Sequence, residues 1–367
     1  MKAFAYNVFV SVSMTLILLV VLEIGMFFAT EIYYARLNAP KNYGADNDYL
    51  NEVAAVRRGF HHSYCSFIDH CSQPFANVNF TIVAEGERGT RNACHLGGTP
   101  IIIWVFGGST TFCAEVYDED TWPSYLSALL CNDGYNVFVR NFGDSGYTST
   151  QEVAKLLLKL RNTPAPDYVV FYDGINDYYS AYQSGRPGEP QNLFNRYLAF
   201  DVFVNRNILN PILVSSTMRA LRFVQQERPV SYTDSHATAL GAAIQQVYVN
   251  NTKLVYALAD KYDFTPLFFW QPAVFTKDTL SDYESSFNSS TGSVGFSVRA
   301  GYKNITFLEE NVHSFHDIQD VFDAENESLF IDTAHVGRKG NKLVASVIAD
   351  HLEASFARDD RVPAPSR

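Results

Sequence analysis

Apolar residues open the chain in one nearly unbroken run. From Val8 to Ala29 it reads VFVSVSMTLILLVVLEIGMFFA, with Glu23 as the single acid. As a helix this stretch crosses a hydrocarbon core of about 30 Å, and one carboxylate near a helix end is tolerated at the interface or in protonated form. A cleavable signal peptide has a shorter apolar stretch and a small-x-small cleavage site, and no clean site of that kind follows Leu22. Residues 8–30 are therefore read as a transmembrane anchor or signal-anchor behind a short tail, 1–7. Lys2 precedes the span while Arg36 and Lys41 follow it, so the positive-inside rule does not favour an N-inside anchor.

Residues 31–98 show no sustained periodicity and many turn formers, the pattern of a stalk and an N-terminal embellishment. A different pattern begins at Pro100. Pro100–Phe106 (PIIIWVF) is a continuous apolar run bounded by Gly107 and Gly108, as expected of a strand buried on both faces. Thr121–Leu130 has helical spacing and opens with Thr followed closely by Pro. Further strands are expected at Tyr135–Asn141, Tyr168–Tyr172, Pro266–Trp270 and, as a short fifth, Leu329–Ile331. Helical patterns lie between them at Glu152–Leu160 and Ser231–Asp263, and Val336–Phe356 closes the domain as an amphipathic helix. Strands alternating with helices predict an α/β domain whose parallel sheet is covered on both faces. Its bounds are 99–357, with an insertion at about 178–230 that is too long for an ordinary connection and is read as helices over the site. A tail, 358–367, reads as disordered.

Composition narrows the partners. The net charge of −11 excludes the basic face a nucleic-acid binder presents to phosphates. Five Asn-x-Ser/Thr sequons, at Asn79, Asn250, Asn288, Asn304 and Asn326, all follow the apolar span. They suit a lumenal or extracellular glycoprotein, secreted if the span is cleaved. Of the five cysteines, Cys65, Cys71 and Cys94 precede the first core strand, and Cys113 and Cys131 follow it. A Cys65–Cys71 or Cys71–Cys94 disulfide fits an oxidising compartment. The rival is a zinc site built from Cys65, Cys71, His61, His62, His70 and His95. It lacks the tight C-x₂-C spacing of structural zinc, and neither metal nor other cofactor is expected.

Candidate chemistry gathers at the carboxyl ends of the expected strands, where open α/β sheets bind ligands. Gly107-Gly108-Ser109-Thr110 leaves the first strand on a turn that exposes a serine. Asn141-Phe142-Gly143-Asp144-Ser145-Gly146 leaves the second, and a glycine there lets a backbone N–H approach a ligand closely. Gly174-Ile175-Asn176-Asp177 leaves the third, with an amide able to donate into a site. In Asp332-Thr333-Ala334-His335 the carboxylate reaches the imidazole Nδ1 across a turn and leaves Nε2 free to take a proton. Each block alone is an ordinary turn or cap. Gln271, at the end of Pro266–Trp270, and Asp177 are further candidates for substrate contact, and Cys113 reads as a small buried hydrophobe.

Together, Gly107-Gly108-Ser109, Asn141-x-Gly143-x-x-Gly146, Gly174-x-Asn176-Asp177 and Asp332-x-x-His335 resemble the four signature blocks of the SGNH (GDSL-type) hydrolase superfamily, over about residues 100–356. The resemblance implies a three-layer α/β/α sandwich of flavodoxin-like type and ester hydrolysis without a metal. It implies Ser109 as nucleophile, His335 as base and Asp332 as the partner that orients it. The oxyanion hole would combine the amides of Ser109 and Gly146 with the Asn176 side chain. The family's Gly-Asp-Ser is Gly-Gly-Ser here, with Gly108 in place of the Asp. The expected substrates are small-molecule, glycan or lipid esters, carbohydrate O-acetyl and other acyl esters first. An O-acyltransferase with the same triad and a catalytically silent ligand-binding module are the alternatives.

Overall fold

The computed structural model describes residues 2–37, 43, 46–83, 86–92, 94, 96–193, 196, 232–288, 299, 301–363 and 365. The chain divides into two units, one of residues 1–41 and 193–228, the other of residues 42–192 and 229–367. In the first, α1 (Lys2–Leu37) contains a stretch, Phe4–Tyr33, with mean hydropathy 2.4 and none of it buried. By length and composition it is able to cross a membrane. A signal sequence has the same properties.

The second unit is built on five parallel strands, β5 (Ile101–Gly107), β6 (Val137–Asn141), β7 (Tyr168–Asp173), β8 (Thr265–Trp270) and β9 (Phe315–Asp317). They lie in the order β6-β5-β7-β8-β9. Counted along the chain this is 2-1-3-4-5, the doubly wound order in which the direction of winding reverses beside the first strand. On one face α4 (Trp122–Asn132) packs with α10 (Arg338–Phe356). On the other, α7 (Asp234–Tyr262) packs with α5 (Ser149–Asn162) and α6 (Ile175–Ser184). The fold is thus a three-layer α/β/α sandwich. Short helices α3 (Ser109–Phe112), α8 (Asp282–Asn288) and α9 (Thr306–Asn311) complete the connections.

The apolar runs become strands because both of their faces are covered. Phe106, Phe171 and Phe268 are register partners on β5, β7 and β8, and their rings stack at 5.5 and 5.1 Å. Each buried ring contributes roughly 1.5–3 kcal/mol of transfer free energy. The start signal at Thr121 works as read. Its hydroxyl accepts the Ser124 N–H, with Pro123 in the first turn of α4 where a missing N–H is harmless.

Before the sheet, α2 (Asn47–Val56) is followed by two hairpins, β1 (His62–Cys65) with β2 (Asp69–Ser72) and β3 (Phe75–Asn77) with β4 (Phe80–Ile82). Arg88 ties this stretch to the sheet. Its N–H donates to the Asn141 carbonyl at the end of β6, and its buried guanidinium meets Asp118 and the Thr81 and Val116 carbonyls above the Phe80 ring. The segment expected as a stalk therefore belongs, from residue 42 onward, to the same unit as the sheet.

Two expectations are corrected. Leu329–Ile331 is not the fifth strand. Its residues are buried, but the Leu329 and Phe330 N–H groups go to the Glu284 carboxylate and that of Ile331 to the His335 carbonyl. Only an isolated bridge, Phe330 to Val336, remains, and Phe315–Asp317 takes the sheet edge. The expected disordered tail is pinned at its start, where Arg361 binds Asp359, Asp263 and Thr265 and Asp359 accepts the Tyr168 hydroxyl. Cys65 pairs with Cys71, while Cys94 pairs with Cys131 at the end of α4. These pairings remove both cysteines from the zinc reading. Of the insertion expected at about 178–230, residues 178–184 continue α6, and residues 194–195 and 197–230 lie outside the described residues.

The Cys94–Cys131 bond closes a separation of 37 residues. On the chain-entropy argument it stabilises by about 4 kcal/mol. Cys94→Ser with Cys131→Ser should lower the urea midpoint accordingly, and an unchanged midpoint would contradict this.

Candidate active site

β5 ends at Gly107 and the chain turns at once into α3, which sets Ser109 above the carboxyl end of the central strand. This is the switch point of the winding, where the connections to either side diverge and leave a crevice. Asn141, Asp173 and Trp270 end the neighbouring strands on the same rim. The Asn141 side chain joins two of the turns, its Nδ2 donating to the Thr111 carbonyl at 2.7 Å and its Oδ1 accepting the Gly143 N–H at 2.9 Å.

The structure brings Ser109, His335 and Asp332 into one hydrogen-bonded chain. His335 Nε2 lies 2.7 Å from Ser109 Oγ. Both Asp332 oxygens lie within hydrogen-bond reach of His335 Nδ1, at 2.9 and 2.8 Å. Asp332 Oδ1 also accepts the backbone N–H groups of Ala334 and His335, so the turn holds its own carboxylate in place. A second set of bonds holds the turn. The Val274 N–H donates to the Thr333 carbonyl, the Tyr283 hydroxyl to the Ile331 carbonyl, and buried Glu284, paired with Lys277, accepts from Leu329 and Phe330. A carboxylate on Nδ1 fixes the tautomer that presents Nε2 to the serine, and such a chain is able to carry a proton from hydroxyl to imidazole.

Burial of the His335 ring favours its neutral form. The carboxylates of Glu115 and Asp332 outweigh that and push it up to about 10. Asp332 responds in the opposite sense: burial raises it, but the imidazolium and three hydrogen bonds hold it at about 2. The Asp332 side chain is 55% exposed, so water screens the pair and no energy is assigned to it. The sign for activity is definite, because an imidazole accepts a proton only when neutral. Ester turnover should therefore rise with pH along a limb that lies above the ordinary histidine range. Glu115→Gln removes a negative charge that favours the imidazolium. It should move the limb to lower pH and raise kcat/KM at pH 7 about three- to tenfold. A pH profile that coincides with that of wild type would contradict the assignment.

Asn176 sits at the first turn of α6 and points back over Gly108. Its Nδ2 donates to the Tyr147 carbonyl at 2.9 Å, and its Oδ1 accepts the Gln191 side-chain N–H at 2.8 Å. An amide nitrogen carries two hydrogens, so one remains beside the Ser109 turn. This geometry accounts for Gly108. A Cβ there would collide with Asn176 Nδ2. Glycine is needed for this close approach and not for its φ of −80°. Gly146, at φ +74°, does need glycine's freedom of φ, and a Cβ there would come 3.2 Å from the Gln191 side-chain oxygen Oε1.

Gln271 reaches the same rim. It is buried, and its side-chain oxygen accepts the Thr110 hydroxyl at 3.3 Å, one residue from Ser109. Asp177 is not brought to the site. Its buried carboxyl accepts the N–H and hydroxyl of Ser149 at the start of α5, and burial together with Asp173 pushes it up to about 7. Cys113 lies behind the serine turn with Sγ 3.1 Å from the Thr110 carbonyl and 3.2 Å from Asn341 Oδ1. Burial pushes its thiol up to about 12, so it is an uncharged packing group. Glu115 and Gln191 were not among the residues expected to matter. Nothing in their local sequence marks them, since their partners His335 and Asn176 lie on other elements.

No known family model matches the chain, and no curated protein does. Several solved structures are similar to it at low identity. A member of the lipolytic protein G-D-S-L family from Veillonella parvula is 13% identical over 70% of this chain and 99% of its own, with a TM-score of 0.38. The psychrotrophic esterase EstA from a Pseudoalteromonas species is 10% identical over 70% of this chain and 99% of its own, with a TM-score of 0.36. Axe2, an acetylxylan esterase from Geobacillus stearothermophilus, is 15% identical over 70% of this chain and 95% of its own, with a TM-score of 0.34.

Proposed function

We propose that the chain is a serine ester hydrolase of the SGNH kind, held at a membrane by α1. The observation that carries this reading is the hydrogen-bonded chain from Ser109 Oγ through His335 to Asp332, with the Asn176 amide beside the serine turn. Ser109 Oγ attacks the ester carbonyl while His335 Nε2 takes its proton. The carbonyl oxygen, now negative, is received by the amides of Ser109 and Gly146 and by Asn176 Nδ2. Donors fixed in place before the charge develops stabilise it without reorganisation. Imidazolium then protonates the leaving alcohol, the acyl group stays on Ser109, and water repeats the cycle with the same base.

Carbohydrate O-acetyl esters are the first substrate class of this reading, with lipid esters second. Two disulfides support an oxidising compartment. Three sequon asparagines, Asn250, Asn304 and Asn326, are exposed, Asn79 is half-buried, and the side chain of Asn288 lies outside the described residues. This supports a lumenal or extracellular catalytic unit. The test is an assay of the full-length protein in detergent on p-nitrophenyl esters of increasing acyl length. Turnover that is highest for acetyl and falls with chain length is expected, and no turnover on any ester would overturn the reading.

A further inference from the structure

The hairpin of β1 and β2 lies outside the stretch that resembles a known family, yet it reaches the loop carrying Gly146. Asp144 is fully buried in that loop and both of its carboxylate oxygens are used. Its Oδ1 accepts the Ser72 hydroxyl at 2.7 Å and the Ser145 N–H at 2.9 Å, and its Oδ2 accepts the Ser72 N–H at 3.0 Å. His62 Nε2 stands 3.2 Å from Oδ1 and Lys155 Nζ 3.6 Å from Oδ2. Further along the loop, His70 Nε2 lies 2.8 Å from the Ser145 carbonyl oxygen, and the Tyr147 hydroxyl donates to the His70 carbonyl at 2.5 Å. The Cys65–Cys71 disulfide closes the same hairpin.

His62, His70 and Asp144 come close enough together to suggest a cation site. Their partners argue otherwise. The Lys155 ammonium already faces Asp144, and both His70 ring nitrogens are engaged, Nδ1 with Asp69 and Nε2 with Ser145. The bonds run from hairpin to loop, and the loop's far end is held by Asn176 through the Tyr147 carbonyl. Gly146 therefore sits between two anchors, one on α6 and one on a disulfide-closed hairpin.

We propose that this hairpin is a clasp that sets the Gly146 amide, with Asp144 as its positioning residue. The proposal rests on the serine-esterase reading of the site. An oxyanion donor acts on charge that exists only in the transition state, so displacing it lowers kcat and leaves substrate binding nearly intact. The full-length protein in detergent is compared as wild type, Asp144→Asn, Ser72→Ala, and Cys65→Ser with Cys71→Ser. Active sites are counted by complete reaction with a fluorophosphonate, so that misfolded molecules do not enter kcat. Per counted site, Asp144→Asn and the double cysteine variant should lose about tenfold or more in kcat with KM within about twofold. Ser72→Ala, which removes one of the hydrogen bonds to the carboxylate and carries the test if the others fail to fold, should lose about threefold. Binding of a boronic acid, which forms a tetrahedral adduct on the serine, should weaken in step with kcat/KM. Wild-type kcat per site in every folded variant would overturn the clasp while leaving the esterase reading intact. A wild-type protein without turnover and without a titratable serine would overturn both.

Discussion

Ester hydrolysis by Ser109→Ala is expected to fall at least about 10⁴-fold below wild type, to near the uncatalysed background. The Ser109 hydroxyl lies 2.7 Å from His335 Nε2, and alanine removes it without changing the backbone of the turn. The residue is only half-buried and no other side chain depends on its Oγ among the described hydrogen bonds, so thermal stability should stay within a degree or two of wild type. The oxyanion donors and His335 remain. Any residual rate therefore reports water attack assisted by those groups and not the acyl-enzyme route. The measurement is kcat on p-nitrophenyl acetate for both proteins. Turnover in the variant within about tenfold of wild type would mean that another group is the nucleophile.

Asn176→Ala should cost about 10²–10³ in kcat, more than loss of a single neutral hydrogen bond costs in stability. Two effects add. The variant loses the amide hydrogen next to the serine turn, and it frees the Tyr147 carbonyl, which Asn176 now holds one residue beyond Gly146. KM should change little, because neither effect acts on the uncharged ground state. Steady-state kinetics separates the two constants, and a loss of less than about threefold in kcat would remove Asn176 from the oxyanion hole. Gln191→Ala should move kcat in the same direction by a smaller factor, since Gln191 only orients the amide.

The parts of this site that were legible in the sequence are those whose chemistry is local. A buried parallel strand is a short apolar run, and the turn that leaves it is spelled by the next few residues. Ser109, Asn176 and the Asp332–His335 turn could therefore be named from four short blocks. Alternation of such strands with helices predicts a parallel sheet covered on both faces, whereas the order 2-1-3-4-5 is set by the direction in which the connections wind. Leu329–Ile331 misled because burial and strand pairing are different properties. Its residues are apolar and buried, but Glu284, some 45 residues upstream, takes the N–H groups that a ladder would need. Phe315–Asp317, half-buried and mixed in polarity, carries no such run and became the edge strand. Asp177 looked like a site residue because it adjoins Asn176. On a helix adjacent residues face about 100° apart, and it turned toward Ser149.

Other determinants of the site are long-range and left no local signal. Glu115 acts on His335 from 220 positions earlier in the chain, and Asp144 meets Ser72 from a segment whose sequence reads as a stalk. Gly108 shows the same lesson in reverse. It departs from the Gly-Asp-Ser of the family that the sequence resembles, and the reason lies in Asn176, 68 residues further on, whose amide occupies the space a side chain would need.

Covalent trapping decides whether Ser109 is a nucleophile activated by His335. The full-length protein, as wild type and as Ser109→Ala, is incubated with a fluorophosphonate and examined by intact mass and by peptide mapping. One adduct per wild-type chain, on Ser109, is expected, and none on the variant. An unlabelled wild-type protein, or equal labelling of the two, would contradict it.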